Sequence, residues 1–489
     1  MQRTTDYSEI VLSKSLDRNM ELFKGIFIKD AILRTRRITA ANKMNFGLLY
    51  FDGMVNNSVI NESVVRPLML TDEAPWEDAA AFTLERVLFT GEAKINVKTE
   101  EILRSILYGD ALILIEGCDK AITVNTKGWR SRGISEPENE RILQGPREGF
   151  DEAAMFNLAM IRRKLLTPDF CVETVRLGRR TDTYVFICYL DSLAEQETLN
   201  ELKKRLSKID IDGVLDSNYI TEQIRDCKGS LFKTVGSTER PDIVAANLLE
   251  GRIALVVDGT PVVLTLPYLF SENFQSDEDY YINYRMASVG RILRIVCFIL
   301  SISVPGAYLA VTSFHFRLLP TAFALSIAES RTGVPFSPTA ECIILILIFE
   351  ILKQAGLRMP QSVGHALSIV GGLVVGQAAV EAKIVSAPML IAIALSGISG
   401  LMIPRLQTAV FYCRLGIAVL SATLGLFGCL IGLILILNHI LSLTSFKTDY
   451  TQSLDRISFD STKDTLWRAD WKKMLTRPNI QRKNRKRQI

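Results

Sequence analysis

The sequence predicts an α/β cytoplasmic region of two similar tandem subdomains, followed by an all-α multispan transmembrane domain and a basic C-terminal tail. Three observations carry this expectation. Charge falls in three blocks: residues 1–294 hold 38 Lys+Arg against 44 Asp+Glu, residues 295–446 hold 7 against 4, and residues 447–489 hold 12 against 5. The middle block contains long uncharged apolar stretches. The first block contains two strand–turn–strand patterns that recur at a near-constant offset. The mean hydropathy of +0.19 averages over these unlike regions, and 489 residues leave room for several domains.

The boundaries follow: a first α/β subdomain over 1–144, a linker helix over 145–166, a second α/β subdomain over 167–290, a helical membrane domain over 291–446 and the tail over 447–489. Arg3, Asp6, Glu9, Lys14, Asp17 and Arg18 leave no apolar run near the start, so no cleaved signal peptide is expected and the first block is placed in the cytoplasm. The eight cysteines are scattered without a CxxC pair, which argues against zinc and against a disulfide framework. No catalytic constellation stands out in the first block, so neither an enzyme nor a cofactor is expected.

The tandem pattern is explicit. "GDALILIEGCDKAITV" (109–124) and "GRIALVVDGTPVVLTL" (251–266) each place Gly before an apolar run that ends in an acid and Gly. Acid-Gly between β-branched runs is a hairpin signal. Upstream of each lies a strand ending in Tyr-x-Asp, "LLYFDG" (48–53) and "FICYLDS" (186–192). Between the two patterns stands "GPREGFDEAAMFNLAMIRRKL" (145–165). Asp151 is expected to cap a helix there, with Ala154, Leu158, Ile161 and Leu165 as its apolar stripe.

A hydrocarbon core about 30 Å thick needs roughly 20 apolar helical residues. Residues 295–314, 363–380 and 384–403 qualify, and 415–446 holds a fourth span with length to spare. Pro305-Gly306 predicts a kink in the first. The stretches 318–330 and 341–352 are each short, as two tilted spans or halves of one broken helix, so four to six crossings are expected. Arg285, Arg291 and Arg294 before the first span, and the basic tail, put both ends in the cytoplasm. An alternating six-span count would put the basic stretches 353–358 and 405–414 outside, which conflicts with that rule.

"GPREGF" followed by "NLAMIRRKL" resembles the signature of the bacterial spore germinant receptor A subunits, the GerA family. The resemblance continues through "DSNYITEQIRD" (216–226), "ERPDIVAANLLEGRIALVVDGTPVVLTLPYLF" (239–270), "QSDEDYYINYRMASVGRILR" (275–294), "FHFRLLPT" (314–321), "VPFSPTAECI" (334–343), "FEILKQAGLRMP" (349–360), "SIVGGLVVGQAAV" (368–380) and "VSAPMLI" (385–391). It covers roughly residues 15–440. Arg317 and "LKQAG" depart from the family pattern, and the tail beyond about 447 does not match. The resemblance implies an integral protein of the inner spore membrane. It implies assembly with a transporter-like B subunit that holds the nutrient and a lipoprotein C subunit, and a homo-oligomer, a pentamer, around a nutrient-gated cation pore. A SpoVAF-like auxiliary channel without its own nutrient sensor is the alternative within the family. A non-conducting membrane scaffold is the alternative outside the channel class.

Candidate functional residues follow from the cost of ionisable groups in lipid. Glu341 and Glu350 lie nine apart, on opposite sides of a straight helix, so at least one should pair, with Lys353 or Arg358, or snorkel to an interface. Glu381 and Lys383 interrupt an apolar run; they read as a turn between spans or as a carboxylate ring at a pore mouth. Ser368, Gly372, Gly376 and Gln377 on the small-residue stretch read as a tight helix contact or a pore lining. The loop Gly145, Pro146, Arg147, Glu148, Gly149 and Phe150 reads as a subunit contact or an internal hinge. His439 beside Asn438 reads as a polar pair or as a solvated imidazole at the membrane edge. The tail is basic enough to lie on anionic membrane lipid or to remain a free cytoplasmic tail, and nucleic acid is not expected as a partner.

Overall fold

The structure is a computed structural model that describes residues 7, 10–73, 78–128, 137, 140, 142, 144–358, 376–451, 464–465, 467–474 and 476–477. Two five-stranded sheets form the head. The first holds β1 (Leu33–Thr39), β2 (Asn45–Phe51), β3 (Ala93–Asn96), β4 (Ala111–Ile115) and β5 (Ala121–Val124) in the order β1-β2-β4-β5-β3. The second holds β6 (Phe170–Leu177), β7 (Thr183–Leu190), β8 (Gly236–Thr238), β9 (Ile253–Val257) and β10 (Val263–Leu266) in the order β6-β7-β9-β10-β8. Every pairing is antiparallel, and the two orders coincide. The two acid-Gly turns close β4–β5 and β9–β10; Gly117 at φ 83° and Gly259 at φ 89° adopt the left-handed backbone that glycine tolerates.

Side chains alternate across a strand. In β4, Leu112 and Leu114 join a core shared by both halves, while Ala111, Ile113 and Ile115 face an outer core of the first half. In β9, Ala254 and Val256 join the same shared core, and Ile253, Leu255 and Val257 face an outer core of the second half. Both strands are therefore buried on both faces and read as unbroken apolar runs.

The Ala154–Lys164 helix lies in the middle of the shared core. Ala154, Leu158, Ile161 and Leu165 are all buried, as the stripe predicts. Asp151 does not cap it. The Ala154 amide donates to Asp258 Oδ1 at 3.0 Å, and Gly259 N donates to Glu152 O at 2.8 Å. The second hairpin turn docks onto the helix end, while Asp151 is held through its backbone by Asn157. Arg162 is wholly buried, ion-paired with Asp30 and stacked over Phe51 and Phe170 at 4.2 and 4.9 Å.

The helical part differs from the expected spans in three places. Residues 284–313 form one 30-residue helix, Tyr284–Ser313, through Pro305. Proline deprives the carbonyl four residues earlier, Ser301 O, of its partner. Arg414 Nε at 2.9 Å and Ser396 Oγ at 2.7 Å donate to it instead. Second, residues 341–352 are not a broken half but part of one 21-residue helix, Pro338–Arg358; Thr321–Arg331 is a separate short helix. Third, 415–446 is not one continuous helix. Gly425 at φ 63° separates the Gln407–Leu424 and Leu426–Ser442 helices. Ala387–Leu401 lies within the expected third span, whereas 363–375 falls outside the described residues. Among the described residues, two helical runs, Tyr284–Ser313 and Pro404–Leu424, are long and apolar enough to cross a membrane; Ala387–Leu401 and Leu426–Ser442 are shorter apolar helices.

Candidate functional site

The described side chains concentrate charge where the head meets the bundle. Arg405, at the turn between the Ala387–Leu401 and Gln407–Leu424 helices, donates to Glu272 O at 3.1 Å. It also ion-pairs with Glu140 Oε1 and Asp277 Oδ1, both at 3.6 Å. Glu272 is held in turn by Arg252 and by the Leu269 amide. Arg405 therefore lies on the head side, not on the far side that an alternating count assigns. Arg414 is in no loop at all but 3% exposed inside the bundle. Burial pushes the Asp277 carboxyl up to about 6, against the pull of Arg405.

A second clamp grips the base of the Tyr284–Ser313 helix. Asp279 accepts from Arg291 Nε at 2.9 Å and Arg294 at 2.8 Å. Its burial opposes ionisation, yet the hydrogen bonds from Arg294 and Arg291 hold its carboxyl below the usual range. Asp464, from the tail, accepts from Arg291 at 3.0 Å and from Tyr280 at 3.1 Å. Arg468 stacks on Tyr280 and Trp471 and donates to Ile282 O at 2.9 Å. The described part of the tail is thus bound to the head–bundle junction by its acid and aromatic groups rather than left free; 478–489 lies outside the described residues.

The chain beyond the last helix also returns to the head. Ser445 Oγ accepts from Tyr268 N at 3.0 Å and donates to Thr234 O at 2.6 Å. Phe446 enters the outer core of the second sheet. His439 is half-buried, with its Nε2 2.9 Å from Ser230 Oγ rather than paired with Asn438. None of these pairs was visible in the sequence, because the partners lie more than 170 residues apart.

The charged candidates in the bundle separate. Glu341 is fully buried; Oε1 accepts from the Ser386 amide and hydroxyl, both at 2.6 Å, and Arg331 lies 3.9 Å from Oε2. Glu350 pairs with Lys353 at 2.6 Å, one helical turn away, and with Gln354 at 3.1 Å. Glu381 is exposed and accepts from Gln377 at 2.9 Å. Lys383 is exposed at φ 54°, against Gly333, and Gly376 lies beside Leu390. Ser368 and Gly372 lie outside the described residues.

The 145–150 loop packs against its own chain. Gly145 sits at φ 126° with the Tyr281 ring where a Cβ would stand. Pro146 O accepts from Arg240 at 3.0 Å, and Glu148 pairs with Lys164 at 3.0 Å. Gly149 is buried, Phe150 is buried with its amide on Glu239 O at 2.8 Å, and Arg147 is exposed.

Two like sheets joined by buried ion pairs to an apolar helix bundle define a head-and-bundle protein. Residues 20–480 match the family described as Bacillus/Clostridium GerA spore germination protein. The chain is 39% identical over 466 residues to spore germination protein KA of Bacillus subtilis (strain 168), covering 94% of this chain and 86% of that one. It is 34% identical over 438 residues to spore germination protein B1 of the same organism, covering 88% and 89%. It is 35% identical over 477 residues to the uncharacterized membrane protein YfkQ, also of that organism, covering 97% and 92%. The solved N-terminal domain of the A subunit of the Bacillus megaterium spore germinant receptor GerK3 is 32% identical, with a TM-score of 0.43, and covers 53% of this chain and 98% of that one. The chain belongs to the GerA family of spore germination proteins.

Proposed function

We propose that the chain is the A subunit of a nutrient germinant receptor and an integral protein of the inner spore membrane. Its head lies in the cytoplasm, several helices cross the bilayer, and copies assemble, as a pentamer, around a cation pore. A transporter-like B subunit holds the nutrient and a lipoprotein C subunit completes the complex; nutrient binding opens the pore and the cation efflux starts germination. The observation that carries this reading is the family match, which runs continuously through head and bundle. The bundle supports it. Ile391, Ile398, Phe427 and Ile434 are each more than 60% exposed, an apolar outer surface suited to lipid or to neighbouring subunits. Arg405 on the head side agrees with basic residues gathered in the cytoplasm.

The test is co-expression with the cognate B and C subunits in growing cells of a spore former, following potassium leak and membrane potential. A nutrient-dependent leak that Glu381→Gln reduces supports a gated channel; Glu381 is exposed, and among the described residues its side chain accepts only from Gln377. No leak from an assembled complex whose nutrient response is intact in spores points to a non-conducting scaffold.

A further inference from the structure

A cavity of about 490 Å³ opens where the Ser217–Ile224 helix, the loop to β8 and the start of the Gln407–Leu424 helix meet. Three cations line it: Arg225, Lys233 and Arg405. Arg405 is already neutralised by Glu140 and Asp277. Arg225 and Lys233 have no ion pair among the described residues. The carboxylate next to Arg225, Asp226, is taken by Arg205 at 2.5 Å and by the Phe446 amide at 2.6 Å. Among the described residues the guanidinium reaches only Ser230 O, at 3.5 Å, and its Nε makes no hydrogen bond. Thr234 Oγ1 is also buried without a partner, in a residue 2% exposed.

Arg225 is half-buried and Lys233 exposed on the cavity wall, and each lacks a carboxylate counter-charge at ion-pair distance among the described residues. The acids in the wall do not supply it. Asp216 accepts from Asn218 N at 2.9 Å and Thr260 Oγ1 at 3.0 Å, and Glu222 accepts from Asn218 at 3.3 Å.

We infer that this cavity receives a phosphate group, whose several acceptor oxygens suit a guanidinium and an ammonium at once. It lies beside the entry of the Pro404–Leu424 run, with Leu231, 44% exposed, in its wall. That position makes the headgroup of an anionic phospholipid the favoured source, a part of the inference that rests on the membrane reading above. Free phosphate is the other source of the same chemistry.

The experiment uses the full chain purified in detergent, with phosphatidylglycerol, phosphatidylcholine and inorganic phosphate as probes. After detergent exchange, the unaltered protein is expected to retain phosphatidylglycerol over phosphatidylcholine. Arg225→Gln with Lys233→Gln is expected to lower that retention at least about tenfold, while Lys472→Gln with Lys473→Gln, on the exposed tail turn, leaves it unchanged. Melting temperature reports folding, and the single change Lys233→Glu serves if the double variant does not fold. A phosphate-induced rise in melting temperature that Lys233→Glu removes, without lipid retention, supports the site and assigns it to soluble phosphate. Equal retention in folded variants, or no response to either probe, overturns it. Carbonate-resistant membrane insertion is scored separately: its loss counts against the membrane reading, while the phosphate titration still decides the pocket.

Discussion

Among the described residues, the outer face of the first sheet packs on its own half, with Ile38, Val64, Phe82 and Ile113 among residues drawn from 38–124. The outer face of the second sheet, of identical strand order, also receives Phe446 from beyond the last helix. Its β10 end and the loop that follows are held by Ser445, Tyr450 and Arg405. The first half touches the second through the shared core and the Asp30–Arg162 pair. Two copies of one sheet design have thus been given different jobs by their connections. The strand pattern makes a stable unit, and the contacts added around the second unit join it to the helices.

The largest expected effect breaks the contact between halves. Asp30→Ala leaves Arg162 charged and unpaired in the core, and removing one partner of a buried pair costs about 3–5 kcal/mol. Thermal and denaturant unfolding in detergent should show it, and an unchanged midpoint would refute the shared-core account. Next comes the bundle itself. Arg414→Met removes two donors from carbonyls of the Tyr284–Ser313 and Ala387–Leu401 helices, at about 2–3 kcal/mol. Pro305→Ala restores an amide to Ser301 O, so the double variant should melt above Arg414→Met alone; no such recovery would detach Arg414 from the proline.

Arg405→Gln tests the joint between the second half and the bundle. It is expected to cost about 1–2 kcal/mol and to speed hydrogen exchange in 268–274 while leaving β1–β5 unaffected. Equal loosening of both halves would erase the distinction drawn above. The smallest effect is in pH. Asp277 is raised to about 6 in the fold, so the native state holds a proton that the unfolded state releases between that value and the ordinary carboxylate range. Stability from this group therefore rises as pH falls from 7 to 5, by about 1 kcal/mol. Asp277→Asn should remove that increment from the melting profile.

The sequence by itself determined the units with local rules. Acid-Gly turns at 116–117 and 258–259 need a positive φ after an apolar run, so both hairpins are legible from spacing alone. The stripe on the Ala154–Lys164 helix, the uncharged run after Arg294 and the Glu350–Lys353 pair obey short-range periodicities. Only the tertiary structure decided which end of that helix meets Asp258, that Arg414 answers Pro305, that Arg405 lies on the head side, and that the chain re-enters the second sheet at Phe446. Each of these joins groups about a hundred or more residues apart. An isolated acid or arginine carries no periodic mark of its partner, and the low dielectric of a buried site selects the pair only once the backbone has brought the two together.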